Sequence, residues 1–370
     1  MKKSLCLLLT VLLCCGTALF AGAEDTVSEK TLRVISFNVD GLPIPKALSS
    51  TKRPARAATR LLARQVNAAG CDILCAQEDF NYHGVLSREL EMDYRTVTSG
   101  PAVVGDGLNI FSKMPIYNVR RVAWNDAYGV FDCGSDELTP KGVLCCTVEA
   151  DAGVYIDVYT LHADAWEDDD SMLAKASQFD QLLALIDEYS GTDRAVLLTG
   201  DFNTNYTTFR EGYAAGHYNV DLCQKLLDNF VANGFRDAWV EANADGRYDF
   251  TSAEMYARYG VPYPRTWDTL DHIYYRSGKG VTLTLQDAYY DDMDCDGVTW
   301  PGHLSDHAAV CAAFTCTIDR SQAEAPQTLV KERAQPVRQL IRAIVSVGNT
   351  LRTAIAHLPD LLKNGVGWIK

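Results

Sequence analysis

No two of the twelve cysteines stand at C-x-x-C spacing, which argues against a structural zinc site. The chain also lacks an internal repeat, so a solenoid or propeller array is not expected. Positive charge is scarce: 34 Lys and Arg stand against 48 Asp and Glu, for a net charge of −14. The deficit is deepest in the middle, because residues 1–23 carry +2 and residues 336–370 carry +4, which leaves −20 between them. Such a body binds polyanions poorly on its own charge. It can still act on phosphate where a bound cation supplies the missing positive charge.

What is present suits a globular protein with a sizeable core, at 47% hydrophobic and 22% charged residues. Lys2 and Lys3 precede a short apolar run that closes at Ala21-Gly22-Ala23. This is the n-region, h-region and cleavage pattern of a signal peptide over residues 1–23, so export is expected. The run is short for a spanning helix. Nine cysteines lie beyond it, an odd number that leaves at least one without an intramolecular partner. Disulfides and plain core packing both fit them.

From Thr31 onward, β-rich runs alternate with helical ones. "LRVISFNV", "DILCAQ", "GLNIFSK", "GVLCCTVEA", "VYIDVYTLH", "RAVLLTG", "LDHIYYR" and "AAVCAAFTC" read as strands. "ARAATRLLARQVNAAG" and "SMLAKASQFDQLLALIDEYSG" read as helices, the first closed by Gly70. The pattern gives one α/β domain over residues 31–316, followed by a polar linker, 317–335. Residues 336–370 then place Val337, Leu340, Ile341, Ile344, Val347, Leu351, Ile355, Leu358 and Leu362 at helical spacing, with Arg338, Arg342 and Arg352 along one flank. Gly348 weakens this helix and Pro359 ends or kinks it. Docking on the domain, self-association and contact with a membrane surface are all open to such a tail.

The strand ends carry the chemistry. Asn38 and Asp40 close the first strand in "SFNVDG", Glu78 follows another in "CAQEDF", and His162 ends "VYTLH". Asp201 and Asn203 stand in "GDFNTN", Asp271 in "LDHI", and Asp306 and His307 in "LSDHAAV". Each alone has a bland reading as a solvated loop residue or a satisfied histidine. Together they place carboxylates, carboxamides and imidazoles at the edges of apolar strands that one sheet rim can gather. "DDMDCDG" adds Asp292, Asp294, Asp296 and Gly297 at calcium-loop spacing, but position twelve is His303 instead of glutamate, so a full EF-hand is not expected. His272 and His303 are left outside the expected site.

The order N-x-D, Q-E, H, G-D-x-N, D-H-I, S-D-H over nearly the whole domain resembles the endonuclease/exonuclease/phosphatase superfamily. That resemblance implies a four-layer α/β sandwich around two central mixed β-sheets, with residues 336–370 as an appended amphipathic helix. It also implies a phosphoesterase using a divalent cation, Mg²⁺ first, with Mn²⁺ or Ca²⁺ as alternatives. Glu78 is the leading metal ligand, with Asn38 beside it, Asp306 in the same shell and Asp40 behind. His307 paired with Asp271 is the implied base. Asp201 and Asn203 would hold the nucleophile and a phosphoryl oxygen, and His162 would donate a hydrogen bond to the phosphate or the leaving oxygen.

Within the superfamily, "GDGLNIFSKMPI", "ELTPKGVLCCTVE" and "LHADAWEDDD" resemble secreted bacterial sphingomyelinases and related phospholipases C. Leu161 and Asp164 depart from that pattern, standing where threonine and glutamine are expected. "NVDGL" is more similar to abasic-site endonucleases and tyrosyl-DNA phosphodiesterases. Export, the acidic body and the basic tail favour a phospholipid over nucleic acid, which is the runner-up substrate. A binding protein that retains the fold without catalysis is the alternative of another class. Trp124, Tyr128, Phe131 and Trp300 lie in loops near the motifs, where half-buried packing and lipid contact are both open.

Overall fold

Side chains of a strand alternate between its two faces, and in this chain the alternation sorts apolar residues into two kinds of layer. Leu32 and Val34 enter one core, whereas Ile35 and Phe37 of the same strand enter another. The computed structural model describes residues 26–364 apart from 48, 50, 131–132, 208–210, 212–226, 261–264, 297, 326–327 and 334–335. The expected signal peptide, residues 1–23, lies outside the described residues, as do Phe131 and Gly297.

In chain order the described strands are β1 (Val27–Asn38), β2 (Ile73–Gln77), β3 (Tyr94–Arg95), β4 (Asn109–Ser112), β5 (Ile116–Ala123), β6 (Gly142–Asp151), β7 (Val154–His162), β8 (Ala195–Asp201), β9 (Arg236–Asp237), β10 (Asp271–Arg276), β11 (Val281–Asp291) and β12 (Ala309–Asp319). The α-helices are α1 (Ala55–Ala68), α2 (His83–Glu89), α3 (Asp169–Tyr189), α4 (Ala238–Asn243), α5 (Ser252–Tyr259), α6 (Pro336–Ala356) and α7 (Leu358–Asn364). They form two six-stranded sheets, ordered β11-β12-β1-β2-β4-β3 and β5-β6-β7-β8-β10-β9. Each sheet is antiparallel except for one central parallel pair, β1 with β2 and β7 with β8.

The largest core lies between the sheets and takes Leu32, Val34, Ile73, Cys75, Ile156, Val158, Leu197 and Ile273 from the central strands. Ala58, Leu62, Ala63 and Val66 of α1 cover the outer face of the first sheet, against Ile35, Phe37 and Leu74. Met172, Phe179, Leu182 and Ile186 of α3 cover the second, against Tyr159, Leu161, Val196 and Leu198. The outcome is helix, sheet, sheet, helix: the four-layer sandwich. α1 ends where Gly70 turns left-handed at φ 69°, and α3 starts where Asp168 accepts a hydrogen bond from the Ser171 amide at 3.0 Å.

The structure adds detail to the two C-terminal segments. The polar segment read as a linker is hydrogen-bonded to the domain. The Asn118 amide on edge strand β5 donates to the Val330 carbonyl at 2.9 Å, and Glu332 accepts from the Val97 amide at 2.5 Å. The tail helix runs unbroken through Gly348 and is interrupted at His357, between α6 and α7, next to the Pro359 expected to end or kink it. Pro359 explains the interruption, because its ring and missing N–H rule out an interior helical position there. The seven described cysteines whose side chains are placed are free thiols, six of them buried, so core packing is their role.

Candidate active site

The face alternation that fills the inter-sheet core also places polar residues at its rim. Ile156 and Val158 of β7 point between the sheets, and so, two and four residues on, do Thr160 and His162. In β8, Ala195 and Leu197 lead by the same step of two to Thr199 and Asp201. Asn38 follows Val34 on β1, and Asp271 precedes Ile273 on β10. Asp201 is the register partner of His162 on one side and of Asp271 on the other. A layer of hydrogen-bonded polar groups separates rim from core: Gln77 Nε2 donates across the sheets to Thr160 Oγ1 at 2.8 Å, and to Ser36 Oγ at 3.3 Å.

Two glycines of the motifs have steric reasons. At Gly200, φ is 145°, and an added Cβ would lie 2.4 Å from the Leu161 carbonyl oxygen, so only glycine lets β8 lie against β7 here. In "NVDGL", a Cβ on Gly41 would sit 2.3 Å from the Glu78 carbonyl oxygen, which also accepts from the Gly41 and Phe80 amides at 3.0 and 2.8 Å. These contacts hold Glu78 at φ 55°, a left-handed conformation that a glutamate seldom adopts. Asp40 and Asn203 are left-handed as well, at 45° and 47°.

Asn38 ties the two sheets together, its amide donating to Glu78 Oε1 at 3.1 Å and Asp201 Oδ2 at 3.0 Å. Its carbonyl accepts from Ser305 Oγ at 2.6 Å, which fixes the loop carrying Asp306 and His307. His307 Nδ1 is 2.7 Å from Asp271 Oδ2, and its Nε2 faces Asp201 Oδ2 at 3.7 Å. His162 Nε2 approaches the same Asp201 oxygen from the other side, at 3.4 Å. Asn203 donates its amide N–H to Asp201 Oδ1 and its side-chain Nδ2 to the Ala163 carbonyl, both at 3.0 Å, so it positions Asp201.

The electrostatics divide the rim in two. On one side, burial and the neighbouring Asp306 charge push Glu78 up to about 7 and Asp40 up to about 6, although Arg53 pairs with Asp40 at 2.7 Å. Negative charge is under-compensated there, and the donors are all oxygen, which suits a hard cation held by Glu78 and Asp306 with Asn38 beside them. On the other side, burial opposes charge on Asp201, but His307, His162 and Lys141 hold its carboxyl below the usual range. Burial likewise works against His307⁺, yet Asp271 and Asp201 hold its pKa well above 6.5. Burial and the Lys141 charge push His162 down to about 3, which keeps it neutral. Burial raises Asp271 to about 6 in spite of His307.

All nine residues singled out from the sequence therefore converge on one rim. Several neighbours were missed. Arg53 is 2% exposed and pairs with Asp40, offsetting part of its charge. Lys141 pairs with Asp136 at 2.5 Å and donates to the Ala163 carbonyl at 3.1 Å, beneath His162. Arg265 donates to the Asp306 and His307 carbonyls at 2.8 and 3.0 Å while pairing with Asp292. No local motif marks Arg53 or Arg265, because their partners lie on other elements. Lys141 stood in plain view in the "PKGV" segment.

Leu161 and Asp164, the two departures from the sphingomyelinase pattern, are both fully buried. Leu161 packs under α3, and Asp164 accepts from the Tyr128 amide at 2.7 Å, so neither reaches the rim surface. His272 is engaged at both ring nitrogens, by Asp237 at 2.8 Å and the Thr204 carbonyl at 2.7 Å. In the acidic loop, Asp294 is taken by His303 at 2.6 Å and Asp292 by Arg265, so these carboxylates already have cationic or hydrogen-bonding partners. Trp124 and Trp300 spend their indole N–H groups on the His162 and His303 carbonyls, at 2.8 and 3.3 Å, and pack as loop residues.

Residues 35–307 match the model of the Endonuclease/Exonuclease/phosphatase family. The chain belongs to this family. A sphingomyelinase of Mycobacterium tuberculosis is 29% identical over 307 residues, which cover 80% of this chain and 54% of the relative. The chain thus spans about half the length of the curated relatives it matches. Beta toxin from Staphylococcus aureus, in a substituted form with bound magnesium ions, shares the fold at a TM-score of 0.50 and 18% identity, over 76% of this chain and 99% of that one. Zebrafish (D. rerio) TDP2 complexed with a single-strand DNA product does so at 0.51 and 16%, over 77% and 99%.

Proposed function

We propose that the chain is a secreted phosphodiesterase that depends on a divalent cation, Mg²⁺ first, and releases the head group of a phospholipid as a sphingomyelinase or phospholipase C does. One observation carries the reading. The His307–Asp271 pair faces Asp201 on the same rim as the under-compensated Glu78 and Asp306 carboxylates, in a chain 29% identical to a sphingomyelinase.

A bound cation would supply charge neutralisation at the phosphoryl oxygens, from the side of Glu78, Asp306 and Asn38. Asp271 fixes the His307 ring through Nδ1, so Nε2 is the atom that takes a proton from the attacking water. Asp201, kept ionised, accepts a hydrogen bond from that water and stabilises the imidazolium as it forms. His162, kept neutral, donates from Nε2 to a phosphoryl or leaving oxygen. Asn203, Asn38 and Ser305 position these groups.

The nuclease reading has the "NVDGL" segment in its favour and the acidic body against it. The His307–Asp271 pair facing Asp201 weighs against a non-catalytic binding protein. Hydrolysis of bis(4-nitrophenyl) phosphate, with Mg²⁺ and with EDTA, separates the classes. The enzyme reading expects turnover that EDTA abolishes. A correctly folded, metal-loaded protein without turnover contradicts it.

A further inference from the structure

The apolar stripe of α6 and α7 is not sealed against the domain. Its large residues from Val337 to Leu362 are between 40% and 79% exposed, and Ile341 and Val345 border an open cleft of about 1410 Å³ instead of a packed contact. Elsewhere among the described residues, exposed large apolar side chains are mostly single residues on separate elements, such as Val231, Tyr256 and Tyr289. Trp166 is another, and it is joined to the stripe through the turn against which α6 packs. It is 60% exposed and left-handed at φ 67°, a conformation that costs a bulky residue strain.

Trp166 links the stripe to the catalytic rim. Helix α6 packs against the 3₁₀ turn Cys133–Leu138. Gly134 of that turn lies against the indole, where an added Cβ would come within 3.1 Å of Trp166 Cδ1. On the other side, buried Lys175 donates to the Trp166 carbonyl at 2.5 Å and to the Asn203 carbonyl at 2.9 Å. Helix, turn, tryptophan and rim are therefore mechanically continuous.

We infer that α6, α7 and Trp166 form one docking face for a phospholipid surface, which presents the His162–Asp201 rim to the head groups. The pattern is that of an in-plane helix: an apolar stripe, a basic flank and a tryptophan at interface depth. Charge selects the orientation. Residues 336–370 carry +4 whereas the body between the two terminal segments carries −20 in sum, so an anionic bilayer attracts the tail helices and repels the body as a whole. No described helix is long and apolar enough to cross a membrane. The inference extends the phospholipid reading, but binding does not require turnover.

The test is co-sedimentation of the full chain, in EDTA, with vesicles of phosphatidylcholine and sphingomyelin, with and without phosphatidylserine. Binding is expected to rise with phosphatidylserine and fall with salt. The triple variant Leu340→Glu, Ile344→Glu, Leu351→Glu should bind about tenfold less or weaker still, and Trp166→Ala several-fold less by the same reasoning. Both should keep wild-type turnover of bis(4-nitrophenyl) phosphate. Vesicle binding unchanged in either variant overturns the docking face, as does a wild type that never sediments. A dimer in sedimentation equilibrium that the triple variant loses, without vesicle binding, assigns the stripe to a second copy instead. Wild-type binding without any diester turnover would leave the docking face standing and defeat only the enzymatic reading.

Discussion

At the residue scale, the two carboxylates beside His307 make it a stronger base than a free imidazole. Asp271 and Asp201 overcome the cost of burial and raise its pKa well above 6.5, which favours the imidazolium. The sign then follows. The proton must leave before His307 can accept one from water, and kcat/KM therefore rises with pH along a limb above 6.5. Replacing Asp271 with Asn removes the largest favourable charge and shifts that limb to lower pH, while the maximal rate falls. A pH–rate profile whose limb stays in place contradicts the pairing. His307→Ala is expected to cost about 10²–10⁴ in turnover with unchanged circular dichroism; undiminished activity in the folded variant would remove it from the mechanism. Glu78 gives a second test, free of catalysis. With its pKa raised to about 7, a proton competes with the cation below neutrality. Mg²⁺ affinity measured by calorimetry should weaken by about tenfold per pH unit below 7 and level off above it. Affinity flat across this range would place the cation away from Glu78.

At the element scale, the site depends on how closely β7 and β8 approach and on how the 305–307 loop is held. An alanine at Gly200 must push its Cβ into the Leu161 carbonyl at 2.4 Å, in a backbone conformation that alanine avoids. Gly200→Ala should destabilise by about 2 kcal/mol or more in urea unfolding; an unchanged midpoint would show that the two strands have slack. Arg265→Met keeps bulk but releases the Asp306 and His307 carbonyls, so kcat should fall by roughly tenfold or more with KM for a small diester little changed. A change confined to KM would make Arg265 a substrate contact. The strands were legible in the sequence because each is an apolar run that ends in a polar residue, and the period of two carries the inward face straight to the rim. Arg53, Arg265 and Ser305 were not, because their value lies in partners 13 to more than 260 residues away. The contacts of the linker were not legible for a similar reason: a polar segment without periodicity gives no sign that a sheet edge will hold it.

At the scale of the whole molecule, charge, apolar surface and site share one geometry. The rim collects under-compensated carboxylates for a cation, the body is acidic in sum, and the basic, apolar tail reaches the rim by way of the 3₁₀ turn and Trp166. The sequence showed the amphipathic tail and pointed to Trp124, Tyr128, Phe131 and Trp300, in loops near the motifs, as aromatics open to packing or to lipid contact. Two of these, Trp124 and Trp300, use their indoles to hold backbone carbonyls, and the exposed tryptophan among the described residues is Trp166, whose left-handed backbone no local pattern announces. The central claim is that this rim hydrolyses a phospholipid diester. The most direct measurement is Mg²⁺-dependent release of phosphocholine from sphingomyelin vesicles, with linear and plasmid DNA in parallel and EDTA controls. Phosphocholine release that EDTA abolishes, with both DNAs intact, is the predicted result. Cleavage of DNA with no phosphocholine released would contradict it and assign the rim to nucleic acid.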